Sequence, residues 1–319
     1  MPVNRDKPDL WKPDIAKSVD MYNSWFMTFA PKTFRETRIK TTKLVEATLK
    51  ATENLTNVCP AVLRKHPEAL STLRMCTCPP IAVDRLIGLS GVPVSLVKRM
   101  ELESKISVRL SGILLDKELS KIGDVIEKMA DPDIFVWLKR KEPATEPELH
   151  RASTIVADRL CGSQANPIIR NAQEKRQLEL IKTWLEGRGY KAVPQGEGIK
   201  FNSMPPGTFS FRTNVPITLE GGRKVNIPID AVVKPKKAKS QELPIFIEAK
   251  SAGDFTNVNK RRKEEAAKMS QLKHSYGKGV SFNLFLCGYF DSGYLGYEAS
   301  EGIDWIWEHR IDDFKKFGI

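Results

Sequence analysis

The apolar positions along this chain change period near residue 163. Before it they recur every three or four residues: Val19, Tyr22, Trp25, Phe26 and Phe29, then Leu44, Val45 and Leu49, with Thr48 on the same stripe. That spacing predicts amphipathic helices, cut into short pieces by prolines at 31, 60, 67, 79, 80, 93 and 132. After it comes one long helix, predicted from Pro167 to Glu186, with Ile168, Ile169, Ala172, Leu178, Ile181, Trp184 and Leu185 as its apolar face and Gly187 and Gly189 as its stop. Strands are predicted at about 190–193, 208–219, 224–233 and 243–249, with Glu220-Gly221-Gly222 as the hairpin turn between the second and third. A basic helix over about 257–275, an apolar strand over 280–290 and a short element around Trp305 complete the pattern. The fold class expected is therefore α/β (α+β): an all-α N-terminal domain, residues 1–150, followed by a mixed central sheet flanked by helices, residues 151–319. The charged, proline-containing stretch 139–148 is the expected boundary.

At 319 residues, with 41% hydrophobic content, the chain is long enough for two domains that each bury a core. Its net charge of +12 is unevenly spread, since residues 234–278 hold twelve Lys/Arg against five Asp/Glu. Such a basic band suits a polyanionic substrate, because neutralised phosphates supply affinity and steering. The five cysteines are odd in number, and Cys76-Thr77-Cys78 is too tightly spaced for a zinc knuckle. They read as free thiols. With no signal peptide and no apolar run of membrane-spanning length, the expectation is a soluble, cytoplasmic protein with no membrane partner.

The candidate chemistry sits on two of the predicted strands. One ends in Ile-Pro228-Ile-Asp230; the other, Pro-Ile-Phe-Ile-Glu248-Ala249-Lys250, places its carboxylate 18 positions later. Successive strand side chains alternate between faces, so Glu248 and Lys250 project together and Ala249 points away. Carboxylates converging from neighbouring strands make a hard-cation site suited to Mg2+ and its waters. A lysine beside it can orient or deprotonate an attacking water. An acidic residue two before a lysine also occurs at Glu103-Ser104-Lys105 and Asp313-Phe314-Lys315, but only Glu248 follows an apolar strand with a second acidic strand upstream. The competing reading is a salt bridge at a strand end.

Other residues point to nucleic acid. Asn257, Asn259, Lys260, Arg261 and Arg262 open the basic helix, where asparagine and arginine can read bases and helix amides can hold phosphate. Arg170 and Arg176 on the long helix could hold phosphates or form salt bridges. Residues 84–99 have helix, glycine turn, helix character and carry Lys98 and Arg99 on the second helix, in the manner of a helix-turn-helix. The four histidines, His66, His150, His274 and His309, show no ligand spacing.

Three stretches carry a family resemblance: residues 15–26 with Phe29-Ala-Pro-Lys32, Val156-Ala-Asp-Arg-Leu-Cys-Gly162, and Asn166-Pro-Ile-Ile-Arg170-Asn-Ala-Gln-Glu174-Lys-Arg176-Gln177. With them the chain resembles the XamI-type restriction endonucleases, and its catalytic triplet resembles that of the PD-(D/E)XK nucleases. The resemblance implies a restriction-endonuclease-like core and a type II enzyme that cuts double-stranded DNA at a short palindrome with Mg2+. It further implies a homodimer, functionally paired with a cognate DNA methyltransferase. The name-giving member's target, GTCGAC, is the first candidate sequence. In that class a glutamate from the long helix often reaches the metal or the water, which nominates Glu174, with Glu179 as runner-up. Asp230 and Glu248 would then hold the metal with the carbonyl of Ala249, and Lys250 would position the water. Pro228 stands two positions before Asp230 rather than directly before it, which loosens the match to the class pattern. Other classes compatible with the same features are a structure-specific repair nuclease and a non-catalytic helix-turn-helix regulator. Apolar surface for a dimer contact is expected from the N-terminal helices or from the Tyr294–Trp307 segment.

Overall fold

The computed structural model describes residues 2–106, 112–140, 142–193, 201–219, 221–239, 241–255 and 258–319, with backbone alone for 258–262. In chain order the helices and strands are α1 (Pro8–Ala51), α2 (Pro60–Lys65), α3 (Leu70–Met75), α4 (Val83–Ser90), α5 (Val94–Glu103), α6 (Gly112–Met129), α7 (Glu146–Glu186), β1 (Lys191–Ala192), β2 (Thr208–Thr218), β3 (Lys224–Lys234), β4 (Ile245–Ala252), α8 (Val258–Tyr276), β5 (Phe282–Gly288), α9 (Ser292–Ser300) and β6 (Asp304–Trp307). They form two compact units, Ala30–Ile169 and Met1–Phe29 with Arg170–Ile319.

The first unit is helical throughout. Its core gathers Leu63, Leu70, Leu73, Leu86, Leu96, Leu119, Ile122, Phe135 and Val156. Two polar links hold it in register. Arg74 makes a bidentate pair with Glu101 at 2.5 and 2.9 Å and donates to the carbonyl of Ile81. The indole of Trp137 donates to the carbonyl of Asn54 at 2.8 Å. The helix, glycine, helix corner is present as α4, Gly91 and α5. Leu86, Leu96 and Val97 are buried in it, while Lys98 is exposed and Arg99 pairs with Glu103 at 3.3 Å.

The second unit is a six-stranded mixed sheet in the order β1-β2-β3-β4-β5-β6. β2, β3 and β4 are mutually antiparallel; β1 joins β2, β5 joins β4 and β6 joins β5 in parallel. This is the α/β core the pattern predicts, with each parallel pair beyond β4 spanned by a helix. Gly221 and Gly222 make the β2–β3 turn at φ of 89° and 81°, conformations open to glycine. Glu220, the other expected turn residue, lies outside the described residues. Alternate β4 side chains enter different cores. Phe246 packs with Met269 and Leu272 of α8, whereas Ile247 and Ala249 pack with Leu178, Ile181 and Leu185 of α7. Each such α7 side chain contributes about 1.5–3 kcal/mol by burial.

Four expectations change. Pro31 does not cut its helix, since α1 runs unbroken from Pro8 to Ala51. The long helix starts at Glu146 and runs through Pro167, so the boundary expected near residue 150 falls inside α7. Proline removes one helical hydrogen bond, but buried side chains on both flanks, from Ala152 to Cys161 and from Leu178 to Leu185, hold the helix to its course. Ile168, placed on the apolar face by its spacing, is 47% exposed. The Tyr294–Trp307 segment offers little apolar surface: Tyr294, Leu295, Ile303, Trp305 and Trp307 are all buried in the chain's own core, and Tyr297 and Ala299 are half-buried. Exposed apolar side chains do occur on α1, where Met27 is 68% exposed and Phe26 40%.

The N-terminal segment belongs to the sheet unit. Asp304 accepts from the backbone amides of Val3, Asn4 and Arg5, Trp11 meets Trp305 edge-on at 5.5 Å, and the amide of Gly288 donates to Ser18.

Candidate active site

Pairing between β3 and β4 ends at Ala231↔Ile247, one position before Asp230 and Glu248 would face each other. The strands part there, and the amide of Ala249, free of a ladder partner on β3, donates to Asp230 Oδ2 at 2.9 Å. The two carboxylates therefore reach one cavity of about 270 Å³, lined by Asp230, Glu248, Ala249, Lys250 and Ser251 from the strands and by Arg170, Gln173, Glu174 and Gln177 from α7. Asp230, Glu248, Lys250 and Glu174, distant in sequence, share this cavity.

Lys250 Nζ lies 3.2 Å from Glu248 and 2.9 Å from Glu265 of α8, and Lys268 of the same helix donates to Glu248 at 2.6 Å and to the carbonyl of Pro228 at 3.2 Å. Four charges thus alternate in a row. Burial, then the charge of Glu248, raises the Asp230 carboxyl to about 6. Burial lowers Lys250, but the carboxylates of Glu248 and Glu265 outweigh it and leave the amine above its usual value. An ammonium between two carboxylates is a donor that can orient a water or a phosphate oxygen.

These residues suit a hard divalent cation. Glu248 is buried to 5% exposure, and among the described residues its Oε2 has no hydrogen-bond partner. A buried carboxylate oxygen without a donor, beside a second carboxylate, is an oxygen ligand set of the kind such a cation takes. No three His, Cys, Asp or Glu side chains gather as a ligand group among the described residues. Two carboxylates agree with magnesium, which keeps several waters and takes substrate oxygens.

The other expected residues separate into groups. Glu174 reaches the cavity and pairs with Arg212 at 2.9 Å; Glu179 does not line it and lies near Lys182, 64% exposed. Arg170 lines the cavity and is exposed. Arg176 places its two terminal nitrogens on Glu308 at 2.6 and 2.9 Å and its plane against Trp25, so the charged end of its fork is committed within the fold. Asn257 lies outside the described residues, and Asn259, Lys260, Arg261 and Arg262 are described only as helical backbone. Lys98 and Arg99 belong to the helical unit.

Sequence reasoning missed Gln177, Arg212, Glu265 and Lys268. Fully buried Gln177 donates to the carbonyls of Lys250 and Phe285, fixing α7 to β4 and β5. Arg212 lies between the pairs Phe211↔Ala231 and Thr213↔Ile229 with φ at 49°, a left-handed conformation that a mid-strand arginine rarely adopts. For Glu265 a signal existed. It lies four and seven residues before Met269 and Leu272, on the stripe that enters the core, where an unpaired charge is costly.

Fully buried Glu298 on α9 stands near this group. Burial, then the nearby Glu265 charge, raises its carboxyl to about 8, while Tyr294 partly opposes the shift by hydrogen bonding. The unfolded chain releases that proton near the ordinary carboxyl value, so this contribution to stability is complete below about 4.5 and lost as pH rises towards about 8. At about 1.4 kcal/mol per pH unit, up to roughly 5 kcal/mol is at stake. Glu298→Gln, with no proton to lose, is expected to gain melting temperature over wild type progressively from pH 5 to pH 8. A constant difference across that range would refute the shift.

The XamI restriction endonuclease family model matches residues 53–307. The chain is 52% identical over 316 residues, 99% of each protein, to the protein named "Type II restriction enzyme SalI" from Streptomyces albus G. No solved structure matches. With a family match over well more than half its length and a full-length relative at that identity, the chain belongs to the XamI restriction endonuclease family.

Proposed function

We propose that this protein is a type II restriction endonuclease that uses Mg2+ to hydrolyse both strands of double-stranded DNA at a short palindrome, with GTCGAC as the first candidate. The observation that carries the reading is the convergence of Asp230, Glu248 and Lys250 on one cavity, with a buried Glu248 oxygen left without a donor. Asp230 and Glu248 would hold the metal, with the carbonyl of Ala249. When bound, the ion supplies Lewis-acid stabilisation of charge on the phosphate and the leaving oxygen. The chain's own groups do the rest. Lys250 donates towards the attacking water and orients it, Glu174 assists from α7 across the cavity, and Gln177 holds the strand that carries Lys250. This is the arrangement of a PD-(D/E)XK nuclease.

DNA would be gripped by Arg170 at the cavity and by Asn257, Asn259, Lys260, Arg261 and Arg262 at the start of α8. Lys98 and Arg99 of the helical corner add a further contact, which gives the N-terminal helical region a part in recognition or dimerisation. Arg176 is left out of this set because its donors serve Glu308. One metal site per chain cuts one strand, and a palindrome's two-fold axis is matched by a two-fold protein, so the active form is a homodimer. No helix among the described residues is long and apolar enough to cross a membrane. The proposed setting is the cytoplasm, beside a cognate methyltransferase that protects the host's own sites.

The test is incubation with plasmids that carry or lack GTCGAC, with and without magnesium, followed by sequencing of the ends. Magnesium-dependent double-strand breaks at one fixed palindrome are expected; random nicking or no cleavage would overturn the reading. Light scattering with a cognate duplex should show two chains per duplex. One chain per duplex with both strands cut in one step would exclude the dimer.

A further inference from the structure

Lys250 and Glu248 are neighbours on one face of β4, and left to themselves they would collapse onto each other. A flexible ammonium folded onto the Glu248 carboxylate would compete with any cation for its oxygens. α8 limits this with two residues one turn apart: Lys250 Nζ still meets Glu248 Oε1 at 3.2 Å, but α8 shares the ammonium and leaves the other Glu248 oxygen clear of it. Glu265, with a side chain only 1% exposed, takes Lys250 Nζ at 2.9 Å and draws it towards the helix. Lys268 takes Glu248 Oε1 at 2.6 Å and also donates to Pro228, two residues before Asp230, so one ammonium ties the two acidic strands together. Glu248 Oε2 is left without a hydrogen-bond donor among the described residues.

We propose that Glu265 and Lys268 are positioning residues: Glu265 sets where the Lys250 ammonium stands, and Lys268 sets the separation of Asp230 and Glu248, so that the cavity is arranged before metal or DNA arrives. The inference rests on the proposed nuclease reading, since it concerns the same site. The rival account is a buried ion-pair network that serves only stability. The two differ in what a neutral replacement does, because an amide at 265 keeps the shape and hydrogen-bonding capacity but releases the ammonium.

The experiment uses the full-length chain with Glu265→Gln and Glu265→Asp beside wild type. Three quantities are read: the single-turnover cleavage rate of cognate duplex, the affinity of the DNA-free protein for Mg2+ by calorimetry, and the melting temperature. Loss of a group that orients a metal site's ligands typically costs about 10–100-fold in affinity or activity. Glu265→Gln is expected to lose that much in rate and in Mg2+ affinity, with duplex affinity measured without metal unchanged. Glu265→Asp, which keeps the charge at shorter reach, is expected to fall between the two. Wild-type rate and Mg2+ affinity in Glu265→Gln would overturn the inference while leaving the nuclease reading intact. An unfolded Gln variant beside an Asp variant of wild-type rate would assign Glu265 to stability alone and also overturn it. If wild type itself fails to cut with magnesium, the nuclease reading falls first and the inference with it.

Discussion

Alanine at Asp230 or at Lys250 is expected to lower cleavage of cognate DNA by at least about 10³-fold while leaving DNA binding near wild type. A metal ion's stabilisation of phosphoryl transfer is worth several kcal/mol, and each 1.36 kcal/mol is about tenfold in rate. Asp230→Ala removes one of two carboxylates at the cavity and also the acceptor that holds the Ala249 amide. Lys250→Ala leaves both carboxylates but removes the ammonium that orients the water, and it unpairs the buried Glu265. Neither residue is in the set proposed to grip phosphate, and losing Asp230 removes a negative charge, so affinity for a polyanion does not suffer. Single-turnover cleavage and duplex binding without magnesium check the two halves separately. Either variant cutting at the wild-type rate would make the site assignment wrong. A parallel collapse of binding would move the residue from chemistry to grip.

Gly288→Ala is expected to cost about 4 kcal/mol of stability and to disturb the site with the fold. Gly288 closes β5 opposite Ala252 of β4, at φ of 104°, where a side chain is strained. A Cβ there would stand 2.1 Å from the carbonyl oxygen of Ala252 and 3.2 Å from the ring of Tyr22. The first contact is with backbone and cannot be relieved by a rotamer change. Strained backbone costs about 1–3 kcal/mol and overpacking a further 1–3. The strands must part where the carbonyl of Ala252 also accepts from Tyr289, two residues beyond Lys250. Denaturant unfolding of the variant measures the loss. A value within about 1 kcal/mol of wild type would show that β4 and β5 can separate there without cost, contrary to the packing.

Much of this was legible in the sequence because it depends on local rules. Strand-type apolar runs placed β2, β3 and β5 to within a few residues, and paired glycines placed the hairpin turn. The apolar run before Glu248 put Lys250 on the same face, since that follows from strand geometry alone. Three things were decided only by the tertiary structure. α7 runs from Glu146 through Pro167 because packing outweighs the lost hydrogen bond, which no local preference registers. Residues 1–29 belong to the sheet unit because the buried Asp304 carboxylate accepts amides from Val3, Asn4 and Arg5, some 300 positions away. Arg176 is an anchor on Glu308, and Glu265 and Lys268 clamp Lys250 and Glu248, because burial forces each of these charges to find an opposite one, and which opposite charge lies within reach is set by how the helices pack on the sheet.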